Sequence, residues 1–369
     1  MSLTGPIGIA GGYGGVGRAA AAELRALGAG PLRVGGRRLE LAHELAGELG
    51  NGCEAAALDL DDDASLARFC DGCRVVLDCT GPSFRVLDRV ARAALRAGAD
   101  YVGAGGDEPA YEALARTRIR PGRTAVLSAG MMPGLSGLLP RCLAAAELDG
   151  PPESLVAYVG GCSRITPAAA ADYLASLDGG FGEPLAAWRN GARVARALTV
   201  AREVELPFFP GRVVALPYLS LEAERLARRL RLHRLDWFNV FDGPHVLASL
   251  DLRRRSNGDG AAALMRAVEL DLFGRSPYQL FVLQLDAGDA SRTLVLRAAG
   301  AIELTGAAAA IATFAVAGGE VEPGLWFAAE ALEPEAALER LSATSAVTWL
   351  AVERGTAEEA AAPVEEGVL

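Results

Sequence analysis

The chain has 369 residues, 51% of them hydrophobic, and sets 36 basic against 46 acidic side chains for a net charge of −10. At roughly 100–200 residues per domain the length allows two domains, each able to bury a core. The acidic balance argues against nucleic acid as a partner, because phosphate binding needs a positive face. No apolar stretch reaches the about 18 uncharged residues of a membrane helix, and folded-looking sequence follows Met1–Leu3 directly, so no membrane span and no signal peptide are expected and a cytoplasmic protein is.

In chain order, Pro6–Ala10 reads as a strand and Gly15–Leu27 as a helix, then Leu32–Gly35 as a strand and Leu39–Leu49 as a helix. Glu54–Leu58, Arg74–Cys79, Asp100–Val102 and Thr124–Ser128 are further strands. Ser83–Ala97 carries Val86, Leu87, Val90, Ala94 and Ala97 at helical spacing. Such alternation predicts an α/β fold, a Rossmann doubly wound parallel sheet with helices on both faces, over residues 1–150. The pattern changes after Pro151-Pro152. Asn190-Gly191 signals a hairpin, Leu219–Leu232 a basic amphipathic helix, Tyr278–Leu285 and Thr293–Ala298 an antiparallel pair about Gly288-Asp289, and Gly306–Ala317 a helix. These predict a second, α+β domain over 151–330 for substrate and dimerisation. A C-terminal helix and a frayed acidic tail (331–369) are expected to pack back on the first domain.

Every basic residue is arginine, so a Schiff-base lysine, a lysine acid and a P-loop lysine are all excluded. Six scattered cysteines make no disulfide framework. Cys70 and Cys73 form a CxxC with no second pair or nearby histidines at matching spacing, so no metal is expected; the pair reads as a helix end running into a buried strand.

The strongest local signal is GIAGGYGGVGRAAAAEL, in which Gly12, Gly14 and Gly17 fit G-x-G-x-x-G directly after a strand and at the opening of a helix. That placement is what dinucleotide binding requires. The first glycine permits the tight turn, the second lets backbone approach a pyrophosphate, the third lets helix pack on strand, and the helix start offers N–H groups to phosphate. Tyr13, Gly15 and Val16 complete the loop. At the end of the second strand, Gly36-Arg37-Arg38 stands where an NAD site places a carboxylate, Arg37 being 20 residues after Gly17. A guanidinium there favours the 2′-phosphate of NADP, and NADPH is the expected cofactor. Asp59 and Leu60 after the third strand, and Cys79-Thr80-Gly81-Pro82 after the fourth, should line the cofactor, since ligands sit outside the carboxyl ends of such strands.

The set GGYGGVG, VVLDCTGP, ADYVGAGGDEPAY and AVLSAGMMPGLSG resembles the saccharopine dehydrogenase (saccharopine reductase)-like family over about residues 5–140. The later IELTGAAAAIATFAVAGGEVEPGLW matches its C-terminal part more weakly. Two substrate-side departures stand out: Gly103 where the family often has Asp, and Met131-Met132-Pro133-Gly134-Leu135-Ser136 where it has Asp-x-x-Pro-x-Asp. The resemblance implies hydride exchange between a nicotinamide and a carbon–nitrogen bond, and a homodimer. With those carboxylates absent, a less charged imine is expected, such as a cyclic imine or thiazoline tethered to a carrier protein of a siderophore or nonribosomal peptide assembly line. A C=C or C=O reductase and a non-catalytic NADP-binding regulator are the alternatives, because fold does not set chemistry.

Reduction of C=N also needs a proton for nitrogen. Tyr101 and Asp107 near the end of the fifth strand, and His233 and His245 in the second domain, are the candidates. His43 is expected at the surface, and Trp237, Phe238 and Phe241 could wall a pocket.

Overall fold

The computed structural model describes residues 5–146, 150–177, 179–253 and 260–362. Six strands come first: β1 (Ile7–Ala10), β2 (Leu32–Gly36), β3 (Cys53–Ala57), β4 (Val75–Asp78), β5 (Asp100–Gly103) and β6 (Thr124–Leu127). The chain then supplies β7 (Ser154–Cys162), β8 (Gly182–Pro184), β9 (Ala187–Arg189), β10 (Ala192–Val194), β11 (Ala201–Glu205), β12 (Arg212–Ser220), β13 (Arg234–Phe241), β14 (Tyr278–Ala287) and β15 (Ala290–Ala298). Two late strands follow, β16 (Gly324–Phe327) and β17 (Val347–Arg354).

The first sheet is wholly parallel in the order β16-β6-β5-β4-β1-β2-β3. It is therefore doubly wound, with the order reversing between β1 and β4, where such sheets bind ligands. All four residues of β1 and of β4 are buried, as parallel strands covered on both faces must be. The second sheet is mixed, in the order β10-β9-β13-β7-β14-β15-β17, with β13 parallel to β7 and with β12 also pairing β13. The α/β class read from the sequence, a Rossmann sheet joined to an α+β partner, is the observed one.

Local chemistry explains most elements. Asn190 and Gly191 both take positive φ between β9 and β10, the two-residue turn that suits a twisted hairpin. The β14–β15 pair closes through Gly288-Asp289, with Ala287 opposite Ala290. The helix Leu221–Leu230 starts where the Ser220 hydroxyl accepts the Ala223 N–H at 3.0 Å.

Other elements depart from the sequence pattern. The single helix expected over Ser83–Ala97 is two, Ser83–Val86 and Arg89–Ala97, because Leu87 takes the left-handed φ of 50°. The tail is not all frayed: Ala357–Ala361 is a helix with a Thr356–Glu359 capping box, and residues 363–369 lie outside the described residues. The apolar helix expected from Gly306 begins at Ala301 and is buried along nearly its whole length. It packs against the helix Gly15–Ala26, and only a glycine fits at the crossing. A Cβ on Gly306 would lie 2.5 Å from Ala19 Cβ and 2.8 Å from the Ala20 nitrogen.

The largest buried cluster runs from β1 and β4 through this helix to β7, β13 and β14, so one core joins the two sheets. Gly324–Phe327 is the edge strand of the first sheet beside β6, whereas β17 completes the second beside β15. Among the described residues no helix is long and apolar enough to cross a membrane.

Candidate active site

The glycine loop turns sharply after β1. Gly11 takes φ 71°, the Gly14 N–H donates to Gly11 O at 3.0 Å, and the Gly12 N–H donates to Gly35 O of β2 at 2.9 Å. At Gly17 a Cβ would lie 2.4 Å from Gly11 O and 2.7 Å from Gly12 Cα, so helix and loop touch there. At Gly14 a Cβ would meet only Gly11 O, at 3.1 Å, leaving its outer side open. The helix Gly15–Ala26 has no side-chain cap and no acidic residue in its first turn. Its first N–H groups are the orphans that an anion satisfies. Loop and helix start thus fit a pyrophosphate.

Beside the loop, Tyr13 lies against the end of β2. Its hydroxyl accepts the Arg38 N–H at 2.9 Å, the Arg38 guanidinium stands 5.7 Å from its ring centroid, and a Cβ on Gly36 would strike that ring at 2.1 Å. Arg37 is exposed and has no ion pair among the described residues. Asp59 is exposed, accepting the Asp61 N–H at 3.0 Å, while Leu60 is half-buried. At the end of β4 the Cys79 N–H donates to Ala10 O at 2.9 Å, which sets Cys79 and Thr80 against the loop. Thr80 is held by Asp78, which accepts its backbone N–H at 2.9 Å and its hydroxyl at 2.5 Å.

A cavity of about 460 Å³ opens between the carboxyl ends of the first sheet and one face of the second, a volume suited to a small ligand. Val16, Cys79, Thr80 and Asp107 line it from the first sheet, and Trp237, Asn239 and Phe241 of β13 from the second. The helix Pro167–Leu177 closes one side. Asp172 on that helix accepts Ser83 N–H at 3.0 Å, Phe84 N–H at 3.3 Å and the Ser83 hydroxyl at 2.9 Å, so it caps the short helix after β4 and ties the two sheets together across the cavity.

The expectation of a cavity poor in carboxylates does not hold. Asp107, Asp172, Glu222, Asp242 and Asp271 all line it, because residues distant in sequence replace those missing from the Met131–Ser136 turn. Glu222 is the most unusual. It is buried at the start of the helix Leu221–Leu230, accepts the Gly134 N–H at 2.8 Å, and shares a short hydrogen bond with the Ser136 hydroxyl. Burial, reinforced by the charge of Asp107, pushes its pKa up to about 8 against the favourable hydrogen bonds. Glu222 therefore keeps its proton at neutral pH. Asp107 is held by Arg225 at 3.1 Å, and burial raises its pKa while Arg225 opposes the rise. Arg225 also pairs with Glu108 and stacks 3.7 Å from the Phe327 ring centroid. Tyr218, raised to about 12 by burial and by Asp107, lines the same wall.

Of the four acid candidates from the sequence, only Asp107 lines the cavity. Tyr101 is 2% exposed and donates its hydroxyl to Asp78 at 3.2 Å, on the far side of the strand ends. His233 is exposed in the turn before β13. His245 is also exposed, at the rim, with Nδ1 2.6 Å from Asp271, whose carboxylate also takes the His245 and Val246 N–H groups. His43 is exposed on its helix, and Phe238 stacks on Tyr158 rather than walling the cavity. Cys70 and Cys73 are buried free thiols; burial pushes Cys70 up to about 12. Glu222, Ser136 and Asp172 were missed as site residues, since nothing local marks a carboxylate that meets its partner 86 residues away.

Residues 7–126 match the family model of the saccharopine dehydrogenase NADP binding domain, which identifies the cofactor as NADP(H). Over the whole chain the fold is similar to that of apo histidine-tagged saccharopine dehydrogenase (L-Glu forming) from Saccharomyces cerevisiae, with a TM-score of 0.65 and 16% identity over 95% of this chain and 99% of that one. Two partial matches have a TM-score of 0.24: Citrobacter sp. triphenylmethane reductase complexed with NADP(H), 24% identical over 31% of this chain and 40% of that chain, and Pen from Bacillus thuringiensis, 15% identical over 28% and 38%. No curated protein matches the sequence.

Proposed function

We propose that this chain, whose residues 7–126 match the saccharopine dehydrogenase NADP binding domain, is an NADPH-dependent oxidoreductase that reduces a C=N bond in the cavity between the two sheets. Residues 1–150 are the dinucleotide-binding domain in this proposal, joined by the late strand β16, and residues 151–330 provide the substrate wall. The uncapped start of the helix Gly15–Ala26, with Gly12, Gly14 and Gly17, takes the pyrophosphate. Arg37 and Arg38 take the 2′-phosphate, Asp59 and Leu60 edge the adenine, and Cys79–Pro82 lie along the ribose and nicotinamide. When bound, NADPH supplies the hydride.

Glu222 carries this proposal. A neutral carboxyl in a cavity is a proton source matched to reduction of an imine, whose nitrogen must gain a proton as its carbon gains a hydride. Glu222 passes its proton to the Ser136 oxygen while Ser136 releases its own hydroxyl proton to the substrate nitrogen. The carboxylate left behind accepts from the Gly134 N–H and the Ser136 hydroxyl, the two hydrogen bonds already in place. Asp107, paired with Arg225, lines the same cavity beside this proton source. A homodimer through the second sheet belongs to the same proposal. Its edge strand β17 leaves Trp349 and Val352 exposed, and a monomer in sedimentation refutes that part.

The test is NADPH oxidation, followed by absorbance, against a thiazoline (free and as its pantetheine thioester), a linear imine formed from an amino acid and a keto acid, an enone and a ketone. Turnover confined to the imines supports C=N reduction, and the ratio among them assigns the substrate class. Turnover confined to the enone or the ketone overturns it in favour of C=C or C=O reduction. Tight NADPH binding with no oxidation by any of them points instead to a regulator.

A further inference from the structure

The glycine loop offers a pyrophosphate backbone N–H groups and a helix dipole, and no free cation of its own. Arg18, the basic residue of that first turn, is engaged by Glu48 on the neighbouring helix. Arg37 and Arg38 stand at the end of β2, on the ribose side. A pyrophosphate carries two negative charges, and one helix start is equivalent to only about half a positive charge.

A cationic side chain stands on the side of the second sheet. After β7 the chain runs as a short loop, residues 163–166, over the start of the glycine helix. One end of this loop is tied to the start of the helix Ala301–Ala317 and the other meets Gly15. The Ser163 hydroxyl accepts the Ala301 N–H at 3.4 Å, and Ile302 and Thr166 stand 3.1 Å and 3.3 Å from where a Cβ on Gly15 would be. Arg164 lies between these two ends. It lines the cavity, is exposed, and has no ion pair or hydrogen bond among the described residues. Two other guanidiniums near the cavity are occupied, Arg225 by Asp107 and Glu108, Arg275 by Asp242.

We propose that Arg164 is a cofactor-binding residue that clamps the pyrophosphate of NADP(H) against the uncapped start of the helix Gly15–Ala26, from the opposite sheet. A guanidinium matches phosphate oxygens bidentately, and the loop after β7 carries this one to the start of the glycine helix. The proposal rests on the NADP-site assignment above.

The test uses the full chain and no substrate: dissociation constants of NADPH and NADH from fluorescence titration, for wild type, Arg164→Ala and Arg37→Ala, over a range of salt concentrations. Arg164→Ala should weaken both cofactors by the same factor, about ten- to a hundredfold for one charge-assisted contact. It should also flatten the salt dependence of both, a change that a merely structural role would not produce. Arg37→Ala should weaken NADPH alone. Unchanged affinities in Arg164→Ala overturn the proposal and leave that guanidinium to a substrate carboxylate. A loss for NADPH alone overturns it in favour of the 2′-phosphate. Failure of the wild type to bind either cofactor refutes the NADP-site assignment instead, so the two failures are distinguishable.

Discussion

Glu222→Gln tests the proton source through stability as well as rate. The amide is isosteric and keeps both hydrogen bonds, its oxygen accepting from Gly134 and its nitrogen donating to Ser136, so it mimics the protonated acid. In the folded chain Glu222 holds its proton until about pH 8, whereas the unfolded chain releases it near the ordinary 4.5. Between those values the folded state binds more protons, so this group's contribution to stability falls as pH rises and is fully lost above about 8. A pKa rise of that size corresponds to roughly 5 kcal/mol at about 1.4 kcal/mol per pH unit. Urea unfolding of both proteins at pH 5, 7 and 9 isolates the effect, because every other titrating group is common to the two. Below pH 5 they should agree within about 1 kcal/mol, the usual margin for an isosteric change. Across the range the variant should gain on wild type by several kcal/mol. Its turnover should fall by about a hundredfold or more, and the decline of wild-type rate above about pH 8 should vanish from the residual activity. Parallel stability curves would falsify the claim that Glu222 is a buried neutral acid.

Three further substitutions probe the frame around it. Arg37→Ala should weaken NADPH about ten- to a hundredfold with NADH unchanged in the same titration, and equal losses would remove the 2′-phosphate assignment. Gly14→Val should abolish binding of both cofactors with little change in melting temperature, since its Cβ meets only Gly11 O at 3.1 Å while its branches fill the space left for phosphate; normal affinity would place the pyrophosphate elsewhere. Gly306→Leu should cost about 1–3 kcal/mol or more in urea unfolding, because its Cβ falls 2.5 Å from Ala19 Cβ and forces two buried helices apart. Wild-type stability in that variant would refute the close helix crossing.

What local pattern encodes was legible in the sequence. The glycine loop, Arg37 beside it, the alternating strands of the first sheet and the two-residue turns at Asn190-Gly191 and Gly288-Asp289 each depend on residues a few positions apart, where backbone sterics and periodicity act directly. Tertiary structure decided the chemistry of the cavity. Of the proton-donor candidates chosen by residue type, Asp107 lines the cavity, whereas Tyr101 points into the core beneath the strand ends and His233 and His245 lie at the surface. The Met131–Ser136 turn lost its expected carboxylates in sequence and regained one in space, when the helix after β12 brought Glu222 onto Ser136. Arg225 reaches Asp107 across 118 residues, and β16 returns to the first sheet after the second is nearly complete. A carboxyl's pKa, an arginine's freedom to bind phosphate and the partner of an edge strand all depend on what long-range packing removes from water and sets alongside, and no chain-local pattern records that.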